Sequence, residues 1–153
     1  HPPFPLVIPG GIAAPLRVSL LEDPVVYAFW VSSRDQRIYG YNQEGRFLTG
    51  WGPNTVVDTL VRFPVAHVQY EGKDYIAALS ESGHLYLFDR LGRLRLDMLP
   101  LRAQAISPSY LMADQVQQRI AIGQSDGYVQ VFNLEGQTFR LSLMPNHKGN
   151  VQF

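Results

Sequence analysis

The side chains able to do chemistry in this 153-residue chain are few and widely spaced. Four histidines, His1, His67, His84 and His147, show no i,i+4 pairing and no carboxylate at a metal-binding interval, so the pattern of a zinc or metalloprotease helix is missing. With no cysteine, disulfides, thiolate metal ligands and thiol nucleophiles are excluded together. Ser107-Pro108-Ser109 and the other serines read as lacking the Gly-x-Ser-x-Gly elbow of a hydrolase nucleophile, and there is no glycine-rich phosphate loop. Arg90, Arg93, Arg95 and Arg102 crowd one stretch, an arrangement open to an anion or RNA, but Leu91, Leu94 and Leu96 between them read as the dry face of a strand whose arginines face water. Thirteen basic and thirteen acidic residues cancel, so no overall field draws the chain to nucleic acid or to an anionic membrane. Neither is an expected partner. No run approaches the roughly 18 apolar residues of a membrane span.

A repeat positions these side chains. Gly45, Gly92 and Gly136 each close an Asx-x-x-Gly turn that begins at Asn42, Asp89 or Asn133, roughly 45 residues apart, and Gly83 and Gly127 add a second anchor shared by the later two units. Around each anchor lie short stretches rich in β-branched and aromatic residues. In the first unit these are Leu16 to Leu21, Val25 to Val31, Arg37 to Tyr41 and Arg46 to Trp51, separated by polar breaks. The second gives Ala66 to Tyr70, Tyr75 to Leu79, His84 to Phe88 and Arg93 to Leu99. The third gives Tyr110 to Ala113, Arg119 to Gly123, Tyr128 to Phe132 and Gln137 to Leu143. Asn54 to Arg62 and Leu101 to Ile106, too short for convincing helices, are the connections. The expected fold is all-β: three four-stranded antiparallel meander blades, at about 16–51, 65–99 and 109–143, of a partial β-propeller.

The residues Arg37-Ile38-Tyr39-Gly40-Tyr41-Asn42-Gln43-Glu44-Gly45-Arg46-Phe47-Leu48 resemble the NHL type of propeller repeat, in which an Arg-Ile pair leads to an aromatic, an Asx turn and a Gly-x-Phe strand. Ser82-Gly83-His84-Leu85-Tyr86-Leu87-Phe88-Asp89 is similar to the quinoprotein-like Gly-x-Leu-Tyr-x-Phe-Asp pattern. Both resemblances imply a β-propeller. Quinoprotein enzymes carry a tryptophan docking signature in each blade, whereas Trp30 and Trp51 here occupy different strands of one unit, so no quinone or other cofactor is expected.

Propellers close with four to eight blades. Three blades leave two faces uncovered, and if each exposes on the order of 300–500 Å² of apolar surface, covering it is worth roughly 7–12 kcal/mol. The expectation is that the remaining propeller blades or a second copy covers these faces. Residues 1–15, with five prolines and Gly10-Gly11, read as an extended lead-in whose Phe4, Leu6, Val7 and Ile8 are able to lie against a neighbouring surface; a disordered terminus is the alternative. A further strand is expected to start at 147–153. His1-Pro-Pro-Phe-Pro-Leu is no secretion signal, and had one been removed before it, an extracytoplasmic location would be favoured.

In blades of this topology the breaks between second and third strands share one rim with the connections between blades. This rim is the expected binding surface, and Arg34, Asp35, Glu81 and Asp126 are its charged members. Against that stands the ordinary use of Ser, Asp and Gly to build turns. His67, on a predicted innermost strand, reads as a hydrogen-bonded, partly buried imidazole rather than a ligand. The expected function is a non-enzymatic propeller segment that binds a protein partner or presents a ligand. The alternatives are part of a quinoprotein-like or lactonase-like enzyme, or an extracellular carbohydrate-binding domain using Tyr39, Trp51 and Tyr128.

Overall fold

The structure is a computed structural model that describes residues 5–22, 24–98, 112–114, 118–124 and 128–142. Among these residues there are eleven strands and no helix. The strands are β1 (Arg17–Leu21), β2 (Val26–Ser33), β3 (Arg37–Tyr41), β4 (Ala66–Tyr70), β5 (Lys73–Leu79), β6 (Leu85–Asp89), β7 (Leu94–Met98), β8 (Met112–Asp114), β9 (Arg119–Gly123), β10 (Tyr128–Asn133) and β11 (Thr138–Ser142). They form three antiparallel sheets, β1–β3, β4–β7 and β8–β11, each a meander in chain order. The fold class expected from the sequence is the one observed.

Alternation along each strand assigns its side chains to one of two faces. From the first sheet Leu21, Ala28, Trp30 and Ile38 meet Ile76, Ala78, Tyr86 and Phe88 of the second. The opposite face of the second sheet, with Val68, Ala77, Leu79, Leu85 and Leu87, packs on Ile120, Ile122 and Phe132 of the third. The middle sheet is therefore buried on both sides, which is why β6 reads Leu-Tyr-Leu-Phe without polar alternation and is buried along its whole length.

The first sheet departs from its expected plan. Arg46 to Trp51 does not form a continuous fourth strand: Phe47 bridges Tyr41, Val56 bridges Arg37, and residues 49–54 loop out between them. Leu48 N–H donates to Gly40 O at one end of the interruption, and Ile38 N–H to Thr55 O at the other. The excursion delivers Trp51 into the core, edge-on to Trp30 at 4.5 Å and to Phe88 at 5.7 Å between ring centroids. Its indole Nε1–H donates to Arg90 O across the sheet boundary at 2.8 Å. Burying an indole that also gains a hydrogen bond outweighs the strand pairs given up.

Two glycines make this wedge possible. A Cβ on Gly40, in the middle of β3, would stand 2.7 Å from a ring carbon of Trp30 and 2.9 Å from Trp51 Cβ. Gly50, with φ of +83°, lies against the β6–β7 turn so closely that a Cβ would stand 1.9 Å from Leu91 O.

The lead-in is docked rather than loose in its described part. Leu6 and Ile8 pack against Val31, Tyr39 and Tyr41, the outward face of the first sheet. Ser33 Oγ–H donates to the carbonyls of Pro9 and Gly11, Arg34 N–H to Gly11 O, and Ala13 N–H to Ser32 O. Phe4 lies outside the described residues, as do Leu101 to Ile106 and 147–153.

Gly40→Ala should destabilise the fold by about 1–3 kcal/mol through overpacking. Gly52→Ala, whose added Cβ meets nothing nearer than Phe47 at 3.9 Å, should leave the thermal midpoint within error. Thermal unfolding followed by circular dichroism compares the two, and equal midpoints would dismiss the wedge as a constraint.

Candidate functional site

The rim residues predicted from the sequence fall on the β2–β3 and β5–β6 turns, at the same end of the sheets. Asp35 Oδ2 accepts a 2.6 Å hydrogen bond from Tyr39 OH and lies 3.5 Å from Arg37 Nη1. Burial, and then this carboxylate, push the Tyr39 hydroxyl up to about 12. Glu81 pairs with Arg62 Nε, and its N–H donates to Leu60 O. Arg34 and Arg62 line one hollow of about 240 Å³ with Ala13 and Leu60, so the turns of two blades and the connection between them share a surface. Asp126 lies outside the described residues. Asp35 is committed to holding Tyr39, which leaves Arg34 and the Arg62–Glu81 pair as the accessible charges.

A carboxylate that sequence reasoning passed over joins this end of the molecule. Asp58, in the connection from first to second sheet, accepts from Ser82 Oγ at 2.5 Å, and its Oδ1 accepts from Thr59 N–H at 2.8 Å. Its own N–H donates to Tyr86 OH at 3.0 Å. His84 Nδ1 stands 3.6 Å from Asp58 Oδ2, and the imidazole stacks on Tyr86 at 4.8 Å. Ser80 Oγ lies 2.8 Å from Ser82 Oγ and accepts His84 N–H. Burial works against the Asp58 charge, but hydrogen bonds from Ser82, Tyr86, Ser80 and the Thr59 backbone outweigh it and bring the carboxyl down to about 2. Serine, histidine and aspartate are all present, yet the hydroxyl of Ser82 is held by the carboxylate and not by the imidazole, so the set is not arranged to generate an alkoxide. It ties a connecting loop to the second sheet. The only signal in the sequence was Ser80-x-Ser82-x-His84, whose acidic partner is distant in the chain.

A second serine pattern was also missed. Gly123-Gln124-Ser125-Asp126-Gly127 has Gly-x-Ser-x-Gly spacing, the arrangement of a nucleophile elbow. That elbow requires strand, turn and helix, whereas here it joins β9 to β10, which pair antiparallel with Val129 opposite Gly123. The strands flanking the pattern are an antiparallel pair, and 125–127 themselves lie outside the described residues.

The larger hollow, about 490 Å³, lies at the opposite end of the strands, where the β1–β2 turn meets the β4–β5 and β6–β7 turns. Asp89 sits in its wall. Oδ1 accepts from the N–H groups of Leu91 at 2.9 Å and Arg93 at 3.0 Å, and Oδ2 from Nε of Arg93 and of Arg95, each at 2.9 Å. Burial opposes the charge, but the Arg93 and Leu91 backbone donors and the Arg93 side chain hold the carboxyl below the usual range. The amide counterparts repeat the backbone part of this arrangement: Asn42 Oδ1 accepts from Glu44 and Arg46, and Asn133 Oδ1 from Gln137. Beside Asp89, Asp74 joins the buried imidazole of His67 at 2.8 Å to Arg90 at 3.4 Å. Arg90 reaches across to Pro24 O at 2.9 Å and to Glu22 O, fastening the first sheet to the second. His67 is thus the bonded, buried imidazole expected.

Of the aromatics proposed for carbohydrate, Tyr39 and Trp51 are buried, each 2% exposed. Tyr128 is half-buried under Arg140, whose guanidinium carbon stands 3.9 Å from its ring centroid. Tyr39 and Trp51 are covered because alternation places Tyr39 under the lead-in and the excursion drives Trp51 between sheets.

No family model matches the chain, and no curated protein does. Solved structures do. BBS1N, crystallised in complex with ARL6DN, superposes with a TM-score of 0.67 at 21% identity over 90% of this chain and 42% of that one. U3-55K gives 0.62 at 18% identity over 88% of this chain and 40% of its own. The computationally designed Ika4 protein gives 0.50 at 13% identity. The chain has a β-propeller-like fold, as BBS1N and U3-55K do, and spans about two-fifths of the length of each of those two chains.

Because the folded pKa of Asp58 lies below its ordinary value of 3.8, its contribution is present in full above about pH 4 and lost as the pH falls through about 2. Asp58→Asn should reduce stability at neutral pH by about 1 kcal/mol, allowing for solvent screening, and flatten the acid limb, with Asp89 supplying what slope remains. Urea midpoints between pH 2 and 5 measure this; parallel curves for both proteins would remove Asp58 from the account.

Proposed function

We propose that this chain is a segment of a non-enzymatic β-propeller that works by protein interaction, its third sheet being completed by a further sheet. The observation that carries the reading is apolar surface left open on its outer faces. On the first sheet, Leu6 and Ile8 cover Val31, Tyr39 and Tyr41, while Val18, Leu20 and Tyr27 of the same face stay 47%, 45% and 55% exposed. On the third, Val129 and Val131 are only half-buried, and their β11 partners Leu141 and Phe139 are 57% and 51% exposed. In register these four make one apolar strip. Strips of the same composition are covered twice within the molecule, each time by the face of another sheet. A sheet presented by remaining blades of a longer propeller or by a second copy is the partner this chemistry fits.

That BBS1N is found in complex with ARL6DN supports a propeller of this shape as a docking platform. Within the propeller class, the Arg37 to Leu48 and Ser82 to Asp89 stretches favour NHL-like and quinoprotein-like blades. Arg34 and Glu81, with Asp35 behind them, form the described part of the rim proposed for a further partner, and Asp126, its fourth expected charge, lies outside the described residues. The lactonase-like or quinoprotein-like enzyme and the carbohydrate-binding domain remain the alternatives, the last now with its tyrosine and tryptophan candidates largely buried.

Sedimentation of the purified chain at increasing concentration should show reversible association, and Phe139→Asp or Leu141→Asp should return it to monomer without loss of the β-sheet circular dichroism spectrum. A stable, concentration-independent monomer of the unaltered chain would sink the reading.

A further inference from the structure

We infer that the larger hollow, between the first and second sheets, binds a carboxylate of an acidic peptide segment, with Arg93 and Arg95 as its receptors. This names a partner chemistry for the interaction module proposed above and rests on that reading.

A guanidinium carries five N–H donors. Arg93 and Arg95 each give Nε–H to the same oxygen of Asp89 at 2.9 Å. Sharing one acceptor holds the two cationic groups close together, and a single carboxylate compensates only one of them. Asp89 itself is saturated by four N–H donors and is 10% exposed, so it acts as the anchor of the pair rather than as a group awaiting a ligand. The Nη donors of both arginines enter no hydrogen bond described among these residues, and the side chains are 63% and 52% exposed at the mouth of the hollow. A pre-placed pair of forks with one charge in excess is suited to the two oxygens of a carboxylate.

The strand geometry points the same way. The β6–β7 pairing breaks register between Leu87 and Phe88, which oppose Leu96 and Leu94, so Arg95 is the extra residue of a β-bulge. A bulge re-aims a side chain that regular pleating would place elsewhere, and it gives up ladder regularity to do so. Here it accompanies the convergence of Arg95 and Arg93 on Asp89.

A peptide is favoured over nucleic acid by the remaining wall and by the charge of the chain. Tyr75 and the half-exposed Leu91 line the same hollow, offering apolar contact beside the forks. Its volume of about 490 Å³ suits a few peptide atoms on either side of one acidic side chain. A net charge of zero supplies none of the extended field that a nucleic-acid backbone requires.

The test is fluorescence anisotropy of the whole chain with fluorescein-labelled hexaglutamate. Saturable binding is expected, at least fivefold weaker for Arg95→Ala, which leaves Asp89 three of its donors. Arg95→Lys, which keeps the charge and loses the fork, should fall between them. Binding should weaken several-fold from about 50 to about 300 mM salt, and Trp51 emission should shift, since its indole is bonded to the Arg90 carbonyl. Absence of saturable binding, or equal affinity of Arg95→Ala, would overturn the assignment. Displacement by equimolar inorganic phosphate, or tighter binding of a single-stranded oligonucleotide, would also overturn it by assigning the hollow to phosphate. Phe139→Asp should bind hexaglutamate normally, so loss of association through the third sheet and loss of peptide binding are separate failures.

Discussion

The middle sheet carries apolar side chains on both faces, and the arrangement of the rest follows from covering them. On one side the cover is the Trp30, Ile38 and Trp51 surface of the first sheet; on the other it is Ile120, Ile122 and Phe132 of the third. Neither outer sheet is amphipathic in the ordinary sense, because each repeats the plan of the middle one and carries a second apolar strip outward. A repeat built this way transfers its unsatisfied face to its ends. The lead-in answers part of the problem at the first sheet with two side chains and a set of backbone hydrogen bonds, leaving Val18, Leu20 and Tyr27 half open, and at the third sheet the strip stands in the open.

Packed faces alone would allow the sheets to slide. Polar groups at the two ends of the strands prevent this, and they differ in kind. At the rim of the β2–β3 and β5–β6 turns, Asp58 with Ser82, His84 and Tyr86 fixes the connecting segment. At the other end Arg90 spans the boundary to the carbonyls of the β1–β2 turn while Asp74 and His67 hold its base. Asp58 and Asp89 each accept from several donors, which is how a carboxylate is kept ionised in a partly buried place. Asp35, Asp58, Asp74 and Asp89 are each tied into hydrogen bonds of the fold. The proposed binding surfaces lie next to them, at the arginines beside Asp89 and the rim charges beside Asp35.

Much of the strand plan was legible because it is written in short-range chemistry. The observed bounds of β3, β4 and β9 coincide with the runs Arg37 to Tyr41, Ala66 to Tyr70 and Arg119 to Gly123, and the Asx turns at Asn42, Asp89 and Asn133 accept the backbone donors that their glycine spacing predicts. The split fourth strand of the first sheet was the main departure. Its trace in the sequence was slight: the interval from Gly45 to Gly92 is longer than that from Gly92 to Gly136, and Gly50, Gly52 and Pro53 cluster around the end of the expected strand Arg46 to Trp51.

The sequence by itself determined which residues form strands, where tight turns fall and that the units repeat, since these depend on alternation and on hydrogen bonds spanning a few residues. Tertiary structure alone decided that Trp51 leaves its strand to bond Arg90, 39 positions away, and that Asp58 takes Ser82, 24 positions away, as its partner. It also placed the larger hollow at the end of the strands opposite the rim that the turn residues had suggested. Such pairings are set by how sheets stack and which turns that stacking brings together, and the local pattern of a repeating chain is nearly the same whichever neighbour a turn meets.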